Sequence, residues 1–247
     1  MLRVWGAPEA RPTRDIDLLG YVDNSPDNLA NIVREICEIE VGDDGLVFDP
    51  STIAADVIKK DAVYEGVRVS FTGYLERARI PMQVDVGFGD VVHPQAKDAD
   101  YPTILDHPAP RLRAYPREAV VAEKFQALVF LGSANTRMKD FFDLWLLSRQ
   151  FDFEGGELAS AIEKTFANRG TAIDSDPVAL TPAFTALEAT QRQWRAFVRR
   201  ANLDQAPEAL DRIREPLRRF LLPIANSIAT QPAALGSWRA PGPWVTD

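Results

Sequence analysis

Acidic residues set inside apolar strands constrain this chain more than any other feature. In RPTRDIDLLGYV, residues 11–22, Asp15 and Asp17 interrupt a run of Ile16, Leu18, Leu19, Tyr21 and Val22. Side chains alternate along a strand, so positions 15 and 17 face the same way. Two carboxylates on one face repel and lose hydration unless a cation sits between them. Asp85 interrupts MQVDVGFGD in the same manner, between Val84 and Val86. If the two strands are neighbours in one sheet, three carboxylates converge. Such an oxygen-only set suits one or two Mg²⁺ ions, which also bridge the phosphates of a nucleotide. The residues alone leave plainer alternatives open: two solvated aspartates at a strand edge, and Asp85 capping a turn near Gly87 and Gly89.

The remaining pattern divides the chain into an α/β part, residues 1–110, and a helical part, 111–247, an α+β organisation. Ser25 and Pro26 fit an N-cap and first-turn proline, opening a helix through NLANIVREICEIE. Two further extended runs, LVFDPSTI and VRVSFTGYLE, precede the strand RIPMQVDVGFGDVV. The Pro-rich segment 101–116 reads as an irregular connection. From Arg117 onward the period is helical. EAVVAEKFQALVFLG ends at Gly132, RMKDFFDLWLLSRQF and GELASAIEKTFANRG follow, and two longer amphipathic helices cover TPAFTALEATQRQWRAFVRR and APEALDRIREPLRRFLLPIANSIA. Pro216 is expected to kink the last of these. The C-terminal half is therefore expected to be all-helical, with a tail, ALGSWRAPGPWVTD, that docks by its tryptophans or is loose.

Composition excludes several classes. No stretch of the 247 residues has the apolar length needed to span a membrane, and MLRVWGAPEARPTRD is no signal peptide. The single cysteine, Cys37, rules out an internal disulfide and suits a reducing cytoplasm. With only His93 and His107, a histidine-based zinc site is excluded in favour of carboxylate and magnesium. A net charge of −8 argues against general nucleic-acid binding. Residues 190–220 nonetheless carry eight arginines against four acids, read either as solvated helix faces or as a binding surface.

Four motifs in order, RPTRDIDL, VDVGFGD, YPREAVVAEKFQAL and RMKDFFDLWLL, resemble the AbiEii/AbiGii group of nucleotidyltransferases, over about residues 1–150. The resemblance implies a nucleotidyltransferase-like mixed sheet flanked by helices. It assigns Asp15 and Asp17 as the D-x-D metal pair and Asp85 as the third acid. Lys124 matches the lysine on the helix after the sheet, and Lys139, Asp140 and Asp143 match a K-D-x-x-D signature with Arg137 ahead of it. Catalytic roles fall on Asp15, Asp17, Asp85, Lys124 and Asp140, with Asp140 orienting a base or a substrate hydroxyl. Nucleotide binding falls on Arg14, Arg137, Lys139 and Asp143. From the residues alone, the preferred readings are Lys124 as a solvated helix residue and Asp143 as the intrahelical partner of Lys139.

The resemblance further implies an Mg²⁺-dependent transfer of a nucleoside monophosphate from an NTP to an acceptor hydroxyl, with tRNA as an acceptor. It implies a toxin of a type IV toxin–antitoxin or abortive-infection system, paired with a separately encoded antitoxin. The Arg-rich helical half would then dock the acceptor's phosphate backbone. Family members carry a Gly-Gly or Gly-Ser turn about a dozen residues before D-x-D, whose backbone N–H groups cradle phosphates. Counting back from Asp15, that turn falls at or just before Met1. The domain is accordingly expected to be N-terminally truncated or to begin upstream in frame. The alternative function is an inactive nucleotidyltransferase-fold protein that binds nucleotide or a protein partner. Another keeps the enzyme and changes the acceptor to a small molecule or a protein hydroxyl.

Overall fold

A computed structural model describes residues 2, 4–7, 11–12, 16–42, 44–60, 64–103, 106–230 and 235–246, and the side chains of all of these except 59, 60, 64, 65 and 230. Asp15 and Arg14 lie outside the described residues. The chain divides into two compact units, one of Thr13–Asp90 and one of Met1–Pro12 with Val91–Asp247. The division thus falls at 90/91 rather than at 110/111. The segment after the sheet forms a hairpin of β5 (Lys97–Asp100) and β6 (Arg111–Ala114) that belongs with the helices.

The smaller unit is a four-stranded mixed sheet. β1 (Ile16–Gly20) runs parallel to β4 (Ala78–Phe88), and β4, β3 (Tyr64–Leu75) and β2 (Leu46–Lys60) continue antiparallel in the order β1-β4-β3-β2. LVFDPSTI is the first half of the long strand β2, whose register with β3 shifts between Asp49 and Ala54. Pro50 lacks the N–H that a regular ladder needs there. The Asp49 carboxylate instead accepts from the Ser51 N–H at 3.0 Å. Helix α1 (Pro26–Cys37) begins as expected, with the Ser25 hydroxyl accepting from the Asn28 N–H.

Alternation sorts the two faces of this sheet. Val67, Val69 and Val86 pack with Leu29 and Val33 of α1 in one apolar core. The intervening positions, Arg68, Ser70 and Thr72 on β3 with Gln83 and Asp85 on β4, lie on the opposite face. The sheet is therefore apolar on one side and polar on the other, and the strand acids stand on the polar side.

The larger unit is built around α3 (Met138–Gln150). Every residue from Asp140 to Ser148 is buried. A helix apolar on nearly all sides needs neighbours all round. α2 (Arg117–Leu131), α4 (Gly155–Asn168), α6 (Glu188–Ala201) and α7 (Asp211–Thr230) share the core with it, through Phe125, Phe141, Phe166, Trp194 and Phe220. Gly132 closes α2 with φ +48, a left-handed conformation that favours glycine.

Three expectations for this half are corrected. TPAFTALEATQRQWRAFVRR is two helices, the short α5 (Pro182–Thr185) and α6, separated at Leu187, where the backbone is extended. The Gln191 side chain donates to the freed Thr185 carbonyl at 2.6 Å, so the break leaves that acceptor satisfied. α7 starts at Asp211 rather than at Ala206 and contains both Pro216 and Pro223. The half is not all-helical: β7 (Phe153–Glu154), β8 (Ser237–Trp238) and β9 (Trp244–Val245) form a small antiparallel sheet. The tail docks by its tryptophans. The Trp238 indole donates to the Ser148 carbonyl at 2.7 Å and the Trp244 indole to the Phe220 carbonyl at 3.0 Å. Among the described residues no helix is long and apolar enough to cross a membrane.

Candidate active site

Strand pairing brings Asp17 and Asp85 together. They are register partners across the parallel β1–β4 pair and therefore share a face. On the far side of Asp85, Arg68 is its register partner across the antiparallel β4–β3 pair. The Arg68 guanidinium grips Asp85 with two parallel hydrogen bonds, Nε to Oδ1 and Nη2 to Oδ2, both 2.8 Å. Gln83 donates to Oδ1 as well, at 3.3 Å. Asp85 is only 3% exposed, so this fork compensates a carboxylate that has lost most of its water.

The donor set fits a hard divalent cation. It offers carboxylate oxygens from adjacent strands on a polar face, with no thiolate or imidazole among them. Asp85 Oδ1 accepts from both Arg68 and Gln83, and Oδ2 accepts from Arg68, so an ion at this carboxylate would displace part of that set. Among the described residues, no three His, Cys, Asp or Glu side chains are gathered as a ligand cluster. Asp15, the remaining member of the expected trio, lies outside them.

The second constellation joins α2, α3 and the segment at residue 11. Lys124 of α2 bridges two carboxylates of α3, with Nζ 2.9 Å from Asp140 Oδ1 and 2.8 Å from Asp143 Oδ2. Asp140 and Asp143 stand three apart on the helix and share that face. Arg137 completes the coordination of Asp140, and Arg11 forks onto Asp143 with two bonds of 2.8 Å. Lys139 is exposed beside them. Four cations thus accompany two carboxylates, and both carboxylates are buried.

Burial alone would push the Lys124 ammonium towards neutrality, but Asp140 and Asp143 outweigh it and hold Lys124 above the ordinary lysine range. Burial would likewise raise the Asp140 carboxyl, yet Lys124 and Arg137 hold it below its ordinary value of 3.8. Loss of water around Lys139 lowers its pKa; Asp140 acts against this, and Arg137, Lys124 and Arg11 reinforce it. The sign of the linkage follows. The Asp140 contribution to stability is present above the ordinary carboxylate value and is lost as pH falls through the lowered folded value. The Lys124 contribution is present below 10.5 and is lost as pH rises through the raised folded value. Melting temperature measured against pH is expected to decline in acid, and Asp140→Asn is expected to flatten that acid limb while lowering the plateau. An acid limb of unchanged steepness in the variant would contradict the assignment.

Three participants escaped the sequence reading: Arg68, Gln83 and Arg11. Arg68 carried a legible signal, because VRVS interrupts an apolar alternation as VDV does. Arg11 carried none, since its partner is 132 residues away. The arginines of residues 190–220 are partly neutralised. Arg192 pairs with Glu188, Arg214 with Asp211, Arg218 with Asp176 and Arg219 with Glu215.

Comparison with solved structures finds similarity to two Helicobacter pylori proteins. One, crystallised and described as a candidate nucleotidyltransferase, has a TM-score of 0.47 and 15% identity, with 92% of this chain and 84% of that chain covered. The other, JHP933, has a TM-score of 0.44 and 14% identity, covering 90% of this chain and 82% of that one. Comparison with curated proteins gives no match. Residues 1–216 match the family model described as nucleotidyl transferase AbiEii toxin, type IV TA system. That span takes in the strand acids, the lysine of α2 and the K-D-x-x-D segment of α3, and the chain belongs to this family of nucleotidyltransferase toxins.

Proposed function

We propose that the protein is an Mg²⁺-dependent nucleotidyltransferase toxin that moves a nucleoside monophosphate from an NTP onto an acceptor hydroxyl, with tRNA as the acceptor. The observation that carries this reading is the register pairing of Asp17 with Asp85 on the polar face of the sheet. Asp15, Asp17 and Asp85 would hold the metal. When bound, the ion offsets their mutual repulsion and polarises the phosphoryl group under attack.

The acceptor oxygen forms a bond to the α-phosphorus, the bond from that phosphorus to the oxygen bridging to the β-phosphate breaks, and pyrophosphate leaves with the electron pair. The hydroxyl proton passes to solvent or to a strand carboxylate. In the helical unit, Lys124, Arg137 and Lys139 offer positive charge suited to phosphate. Asp140 has no exposed surface and is held ionised by its cations, so its role is to position Lys124 and Arg137. Asp143 does the same for Lys124 and Arg11. A type IV system implies a separately encoded antitoxin.

Each α-labelled NTP, incubated with the protein and either total RNA or total protein, tests the reading. Label is expected in the tRNA fraction with Mg²⁺ and to be absent with EDTA. Label in the protein fraction would move the acceptor to a polypeptide hydroxyl. No label in any fraction, with nucleotide still bound, would favour a non-catalytic nucleotide-binding protein.

A further inference from the structure

The register of the sheet places four charged residues in one row across all four strands. Asp17 pairs with Asp85, Asp85 with Arg68, and Arg68 with Asp56 of β2. Directly opposed residues share a sheet face, with Cβ atoms about 5 Å apart. The row therefore reads acid, acid, base, acid. Its one cation stands between the buried carboxylate of Asp85 and the exposed one of Asp56.

Resting on the metal reading above, we infer that Arg68 is a built-in stand-in for the divalent ion. It holds Asp85 in the metal-free protein and yields it when the ion binds. Two adjacent carboxylates, one of them deprived of water, are costly without a nearby positive charge. The Arg68 fork supplies that charge. A divalent ion at Asp17 and Asp85 brings two positive charges to the same place, so a guanidinium on the same carboxylate is repelled and redundant. Asp56, its other register partner, offers it an alternative carboxylate on the same face. The Arg68 side chain is 40% exposed against 4% for Asp85, so the arginine has room to swing where the aspartate does not. Arg68 is on this view a positioning residue. It keeps Asp85 aimed at the polar face and sets metal affinity by competition.

Competition has a signature that a structural ion pair lacks. Mn²⁺ binding is measured by the loss of the free-ion paramagnetic signal, for the wild type and for Arg68→Met, Arg68→Lys and Asp17→Asn. Arg68→Met is expected to bind Mn²⁺ about tenfold more tightly, having lost a competing positive charge. Its melting temperature should fall without metal and rise on adding Mn²⁺ by more than the wild type's does. Arg68→Lys keeps the charge without the fork and should lie between the two. Arg68→Met binding no more tightly than wild type, with Asp17-dependent binding intact, overturns the role of Arg68 and leaves the metal reading standing. Wild type failing to bind Mn²⁺ overturns both. Should Arg68→Met not fold, guanidine-selective modification of the wild type gives the answer. Arg68 should react faster with Mn²⁺ present, and an unchanged rate contradicts the exchange.

Discussion

Asp17→Asn is expected to reduce nucleotide transfer by roughly three orders of magnitude while leaving the fold intact. A metal ligand's contribution to charge stabilisation in the transition state is several kcal/mol, and each 1.36 kcal/mol is a factor of ten in rate. The substitution preserves shape and removes one of two carboxylates in register on the same face. Loss of that repulsion offsets part of whatever the carboxylate contributes to stability, so the melting temperature should change little in the absence of metal. Activity is therefore lost out of proportion to stability. An Asp17→Asn protein that melts several degrees lower and loses activity in proportion would identify a structural residue instead.

Lys124→Met is expected to give the largest loss of stability. The ammonium bridges two buried carboxylates from a neighbouring helix, and removing one partner of a buried pair typically costs about 3–5 kcal/mol. Asp140 keeps Arg137 and Asp143 keeps Arg11, which places the expected loss towards the lower end of that range. For a chain of this size each kcal/mol corresponds to roughly 2–4 °C, so a drop of about 6–12 °C in melting temperature follows. Adding Asp143→Asn to Lys124→Met removes one of the stranded charges and should recover part of the loss. A non-additive double-mutant cycle is the measurement, and strict additivity would mean that the two residues do not interact.

The strand acids were legible in the sequence because a charged residue breaks an otherwise apolar alternation. Which strands would be neighbours was not, since the parallel pairing of β1 with β4 skips the two strands between them. The register opposing Asp17 to Asp85 is a tertiary fact. The unit boundary was misplaced for a related reason. Residues 91–116 are rich in proline and carry little periodicity, so nothing local assigns the β5–β6 hairpin to either unit. The break between α5 and α6 is invisible to a periodicity argument, because the apolar spacing continues across Leu187 and only the Gln191 contact to Thr185 marks the stop. Both tail tryptophans were legible as anchors. Their carbonyl partners, at Ser148 and Phe220, were not. Lys124 was marked by the family resemblance and by no local pattern, because its two acids are set around it by packing of α2 against α3.

Following the fate of label in a single NTP shows whether this chain transfers a nucleoside monophosphate with the help of the strand carboxylates. With the α-phosphate labelled, radioactivity should appear on the acceptor; with the γ-phosphate labelled, it should appear only in released pyrophosphate, and both signals should vanish in Asp17→Asn. Label reaching the acceptor from the γ-position, or α-label transferred undiminished by Asp17→Asn, would contradict the account.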